Sequence, residues 1–108
     1  MTEELLQFIW QVQYFNTGEL KSTSGEALQI INAGTNNTNQ GPDFLNAKIK
    51  CGDTILAGSV ELHIKASEWR DHKHSSDLNY TNIILHVVWE EDQNLKQNFA
   101  VLELRNRI

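Results

Sequence analysis

Helical periodicity opens the chain. Between residues 3 and 15, Leu5, Phe8, Ile9, Val12 and Phe15 recur at three- and four-residue spacing, and Leu6 and Trp10 widen the stripe. Thr2 stands where an N-cap belongs, and Glu3 and Glu4 sit at the positive end of the helix dipole. Asn16-Thr17-Gly18 offers an end, with the glycine suited to a left-handed cap. So broad an apolar face predicts a helix well embedded against a sheet.

Past residue 18 the period shortens to two. Residues 27–31 form a short apolar run closed by Ala33-Gly34, and residues 35–40 are almost all Asn, Thr and Gln, a loop composition. Residues 44–50 alternate, with Leu45, Ala47 and Ile49 on one face and Asn46, Lys48 and Lys50 on the other. Gly52-Asp53 reads as a hairpin turn into residues 54–65. There Val60, Leu62 and Ile64 share one face, and Ser59, Glu61, His63 and Lys65 share the other. The stretch 66–80 is polar and poorly periodic, with room for one short helix and with Trp69 and Tyr80 as isolated anchors. Residues 83–89 are nearly continuously apolar, interrupted by His86, as for a central strand buried on both faces. Residues 99–104 make a final alternating strand.

This order predicts an α+β fold: one N-terminal helix packed on a mixed or mostly antiparallel sheet of about five strands. At 108 residues the chain has the size of a single domain spanning 1–108. Its last strand ends close to the C-terminus, which suits the N-terminal part of a longer protein.

Charge narrows the function classes. The net charge of −5 carries no basic footprint of the kind that tight, non-specific nucleic-acid binding needs. It is compatible with a metal-dependent site, because a bound cation offsets clustered carboxylates. The single cysteine, Cys51, excludes an internal disulfide and fits a reducing compartment. It lies near a turn with no local base beside it, which argues against cysteine catalysis. No apolar run reaches the roughly 20 residues of a membrane helix, and the acidic N-terminus is unlike a secretory leader. A cytoplasmic protein without membrane contact is expected.

The chemistry concentrates in two places. Gly41-Pro42-Asp43-Phe44 sets a carboxylate at the mouth of one strand, and Val60-Glu61-Leu62-His63-Ile64-Lys65 sets a second within its hairpin partner. Two such carboxylates suit a hard divalent ion, Mg²⁺ or Mn²⁺ ahead of Zn²⁺. His63 or Lys65, on the face of Glu61, is placed to act on a water. The plain alternative is a turn aspartate and a glutamate on a wet strand face. The second place is a run of imidazoles: His63, His72, His74 and His86, with Asp77, fall within 24 residues. They can extend the carboxylate site or form a separate metal site, although no standard ligand spacing is met. A satisfied core histidine is the ordinary reading of His86.

The succession Gly41-Pro42-Asp43-Phe44, Gly58-Ser59-Val60-Glu61-Leu62-His63, Trp69, His72-Lys73-His74, Asp77, Tyr80 and Leu85-His86-Val87-Val88 resembles the signature of an uncharacterised bacterial family, a domain of unknown function found mainly in Bacteroidetes. The chain is similar to the N-terminal region of its longer members, and the family name implies no activity. More remotely, Pro42-Asp43 and Glu61-Leu62-His63 resemble the PD-(D/E)XK core of restriction-endonuclease-like nucleases. That resemblance implies a nuclease-like, Mg²⁺-dependent domain acting on nucleic acid, with Asp43 and Glu61 as metal ligands. The motif's lysine position is His63 here, and Lys65 lies on the same face two residues further on. The rival expectation is a non-catalytic domain that serves association, as a homo-oligomer or with the rest of a longer chain.

Overall fold

A computed structural model describes residues 1–71, 78–95 and 97–108. Helix α1, Glu3–Val12, is capped by Thr2, whose hydroxyl accepts from the Leu5 N–H at 3.1 Å. It ends sooner than the apolar spacing predicts. Gln13, not Gly18, adopts the left-handed conformation (φ 56°). The N–H groups of Gln13 and Tyr14 donate to the Trp10 and Ile9 carbonyls, and the Gln13 side chain folds back onto the Trp10 carbonyl at 2.6 Å. A glutamine can end a helix in this way because its own amide satisfies a terminal carbonyl.

The helix is also less embedded than its broad stripe implies. Leu6, Ile9 and Trp10 are buried, while Leu5, Phe8 and Val12 remain 47%, 56% and 51% exposed. The sheet covers one flank only. Trp10 fixes that flank: its indole N–H donates to the Ala33 carbonyl at 3.0 Å, and its ring stacks on Phe15.

Six strands form one sheet: β1 Leu28–Asn32, β2 Thr35–Asn36, β3 Phe44–Cys51, β4 Thr54–Lys65, β5 Ile83–Glu90 and β6 Ala100–Glu103. The order is β1-β3-β4-β5-β6, with β2 paired to β3. The β1-β3-β4 side is an antiparallel meander, and β4, β5 and β6 run parallel. The fold is therefore α+β with a mixed sheet. Within the connection from β4 to β5 lie a one-turn helix α2, Glu68–Asp71, and a 3₁₀ turn, Leu78–Tyr80.

Two local differences from the alternation bear on the site. Thr35 and Asn36, expected in a loop, pair with Leu45 and Phe44. The register of β3 also shifts between Phe44 and Ala47, where Asn46 takes a positive φ of 59°. This irregularity breaks the expected face: Phe44, Ala47 and Ile49 are buried, and Leu45 is only partly so.

The core gathers Leu6, Ile9 and Trp10 of α1 with Phe44, Val60, Leu62, Leu85 and Val87 of the sheet. β5 is buried from Ile84 to Val88, as its near-continuous apolar run requires of a strand flanked on both sides. Among the described residues, no helix is long and apolar enough to cross a membrane.

Candidate functional site

Asp43 owes its position to the Asn-rich segment before it. The Asn37 side chain donates to the carbonyls of Gln40 and Pro42, and the Asn37 N–H donates to the Asp43 carbonyl at 2.8 Å. The polar run is thus a clamp on the strand mouth rather than a passive linker. From there, antiparallel pairing of Phe44 with Val60 brings Asp43 alongside Glu61.

The two acids are tied through the backbone in both directions. The Asp43 N–H donates to Glu61 Oε1 at 3.1 Å, and the Leu62 N–H donates to Asp43 Oδ2 at 2.8 Å. Gln7 of α1 donates its amide to Asp43 Oδ1 at 3.0 Å. Glu61 is only 4% exposed. Burial, then the hydrogen bond and charge of Asp43, push its carboxyl up to about 10, with a smaller contribution from Glu3. At neutral pH Glu61 is therefore protonated, held against Asp43. The face of β4 that carries Glu61 is dry, unlike the wet strand face of the plain alternative.

His63, two residues on, shares that face. Its Nε2 lies 3.7 Å from Glu61 Oε2, too long for a hydrogen bond, while its Nδ1 meets His86 Nε2 at 2.8 Å. Parallel pairing sets Glu61 opposite His86, which explains why an imidazole inside an apolar strand arrives here. Both histidines are 1% exposed. His86 packs against Trp69, with centroids 5.3 Å apart, and against Phe99 at 6.3 Å; Tyr80 meets Trp69 edge-on. Asp43, Glu61, His63 and His86 thus form one continuous row.

The remaining candidates fall elsewhere. Lys65 is exposed at the end of β4, and its charge acts on Asp92. His72, His74 and Asp77 lie outside the described residues. Cys51 is far from a nucleophile's setting, because burial and the neighbouring Glu26 raise its thiol. A polar cavity of about 460 Å³ beside Asn16, Lys21 and Glu103 is organised by Arg107, whose guanidinium already donates to the Asn16, Gly18 and Glu19 carbonyls.

Gln7 and the aromatic packing around His86 had no signal in the spacing. Gln7 is a single polar residue between two leucine-like positions of a helix, and only the tertiary fold gives it a partner. Among the described residues, no group of three or more His, Cys, Asp or Glu is gathered so as to hold a metal ion. Two carboxylates in contact remain, the number Mg²⁺ uses when it keeps several waters. Comparison with curated proteins and with solved structures finds no match for this chain. Residues 3–108, nearly the whole sequence, match a family described as "Protein of unknown function (DUF2851)", and the chain belongs to that family.

Proposed function

We propose that this is a metal-dependent, nuclease-like domain that hydrolyses phosphodiester bonds in nucleic acid. The observation that carries the reading is the contact between Asp43, at the mouth of β3, and Glu61, within β4. It occurs in a sequence of helix, antiparallel three-strand meander, crossover and parallel strand, which is the layout expected of a restriction-endonuclease-like core.

The residues fit a hard divalent ion. Glu61 is protonated because a second negative charge beside Asp43 in a dry site is unfavourable, and a cation supplies the charge that allows both to ionise. Asp43 and Glu61 would hold it. When bound, such an ion lowers the pKa of a coordinated water and offsets charge on a phosphate. Gln7 and the Leu62 N–H keep the Asp43 carboxylate oriented. His63, in the lysine position of the motif, holds or accepts a proton at Nε2 beside Glu61.

The test is calorimetric titration of Mg²⁺ and Mn²⁺ into wild type, Asp43→Ala and Glu61→Ala, paired with cleavage of linear and single-stranded DNA and of RNA. Binding and cleavage by wild type, lost in both variants, support the reading. Metal binding that is absent, or equal in all three proteins, sinks it.

A second reading, association without catalysis, is favoured by the exposed Leu5, Phe8 and Val12 on the free flank of α1. Self-association that vanishes in Phe8→Ser, without metal binding by wild type, would select it.

A further inference from the structure

We propose that a hollow where β3 meets β4, together with Lys48 and Lys50, holds the phosphate backbone of a nucleic-acid strand beside the Asp43–Glu61 pair. Its part in hydrolysis rests on the nuclease-like reading above; the contact itself does not.

Three local departures from a regular sheet make the hollow. Phe44 pairs with Val60 and Ala47 with Gly58, so Leu45 and Asn46 together face Ser59 alone, and β3 bulges there. Asn46 takes a positive φ of 59°, which asparagine tolerates better than most residues, and it stays exposed. Across from Ala47, Gly58 has no side chain, and Asn82 comes down into the space. A Cβ at Gly58 would lie 2.9 Å from Asn82 Oδ1. The result is an open hollow of about 410 Å³, with Asn32, Asn46, Lys48, Ala57 and Asn82 in its lining.

The charge there is unpaired. Lys48 lies between Asn32 of β1 and Ala57 of β4, and Lys50 between Gln29 and Ile55, so neither lysine has an acid across either strand. Among the described residues, the two ammonium groups and the side-chain amides of Asn46 and Asn82 make no hydrogen bond or ion pair. Alternation puts Lys48 and Lys50 on one face of β3, roughly 7 Å apart, the first in the hollow and the second beyond it. A single anion needs only the hollow. A line of cations with uncharged hydrogen-bonding groups beside it suits a chain of phosphates. The line also leads to the site: Asn46 is three residues from Asp43, and Gly58 three from Glu61, roughly 10 Å along each strand. The net charge of −5 hides this strip. Two such contacts give weak, salt-sensitive binding without sequence preference.

The experiment is fluorescence anisotropy of a short labelled single strand of DNA with the full chain, in EDTA, across about 50 to 200 mM salt. Wild type is compared with Lys48→Gln, Lys50→Gln, Asn46→Gly and, as a control, Lys21→Gln. Wild-type binding is expected to weaken as salt rises. Each phosphate contact contributes about 0.7 to the slope of log affinity against log salt for a single strand. The advantage of wild type over Lys48→Gln or Lys50→Gln should therefore shrink roughly 2.5-fold across that range. Asn46→Gly keeps the backbone conformation and should weaken binding with the slope unchanged; Lys21→Gln should change neither. Absence of wild-type binding overturns the proposal, as does a slope equal to wild type in either β3 lysine variant. Undiminished binding by Asn46→Gly, or a Lys21→Gln effect as large as theirs, overturns it too. So does retention of inorganic phosphate without the DNA, because one anion then accounts for the hollow. If Lys48 and Lys50 hold DNA but Mg²⁺ neither binds nor supports cleavage, the nuclease reading falls and the contact stands. Cleavage with KM unchanged in both lysine variants keeps that reading and removes the contact.

Discussion

Asp43 and Glu61 exchange backbone and side-chain hydrogen bonds across β3 and β4: the Asp43 N–H reaches Glu61 Oε1, and the N–H after Glu61 reaches Asp43 Oδ2. Each acid is therefore part of the sheet's hydrogen-bond framework as well as a candidate ligand. The two variants that test metal binding should separate in stability for this reason.

Asp43→Ala removes the acceptor of both the Leu62 N–H and the Gln7 amide. A buried donor without a partner costs about 1–3 kcal/mol, and urea unfolding should show a loss in that range. Glu61→Gln keeps a neutral group of the same shape and should stay within about 1 kcal/mol of wild type near pH 4.5, be no less stable than wild type at neutral pH, and lose metal affinity. Equal stability losses in the two variants would contradict the asymmetry.

Glu61 also sets a pH dependence with a definite sign. Its carboxyl is raised from 4.5 to about 10 on folding, so across that interval the native state holds a proton that the unfolded chain has released. The contribution is fully present below about 4.5 and is lost as pH rises towards 10. Its slope is at most one proton, about 1.4 kcal/mol per pH unit. Denaturation between pH 6 and 9 should show wild type falling relative to Glu61→Gln. A difference that is flat or rises with pH would overturn the assignment.

Gly58 is required by space. A Cβ there would lie 2.5 Å from the Asn82 carbonyl oxygen and 2.7 Å from the Ile84 side chain. Since the first of these is backbone, β4 and the start of β5 would have to separate. Gly58→Ala should destabilise by about 1–3 kcal/mol or more, as overpacking does. Thermal melting of this variant would show the effect, and a melting temperature equal to wild type would refute it.

The two flanks of α1 should respond differently. Leu6→Ala removes a fully buried side chain, for which about 2–5 kcal/mol is usual. Phe8→Ser touches a side chain 56% exposed and should change stability by less than about 1 kcal/mol. Chemical denaturation of the pair distinguishes this helix orientation from one in which Phe8 is the buried residue.

Much of the architecture was legible because strands declare themselves by alternation and turns by Gly-Asp and Asn-rich segments. The α1 flank was not. Leu5, Phe8 and Val12 satisfy the same three-and-four spacing as Leu6, Ile9 and Trp10, and periodicity does not say which stripe the sheet will cover. The β3 face departs from simple alternation at Asn46, where an irregular register resets the pattern without a glycine or proline to mark it. In the site, Asp43, Glu61 and His63 could be named from spacing along a hairpin. The meeting of His63 with His86 depends on a parallel pairing between strands separated by a long connection, and the reach of Gln7 depends on how α1 lies. Neither is written in any local pattern.

Burial of Glu61, His63 and His86 beside Asp43 has a consequence for how variants of this protein should be read. Glu61 and both histidines are among its most enclosed polar groups, so whatever occupies or ionises them shifts the folding equilibrium by mass action and proton linkage. A survey that scores only cellular abundance would flag these positions as strongly as the hydrophobic core and would assign them to folding. A survey of the same variants with and without divalent cation would separate the two under the proposed reading, because occupancy of the row would appear directly as melting temperature. A thermal-shift screen of ions therefore tests whether the row takes a cation.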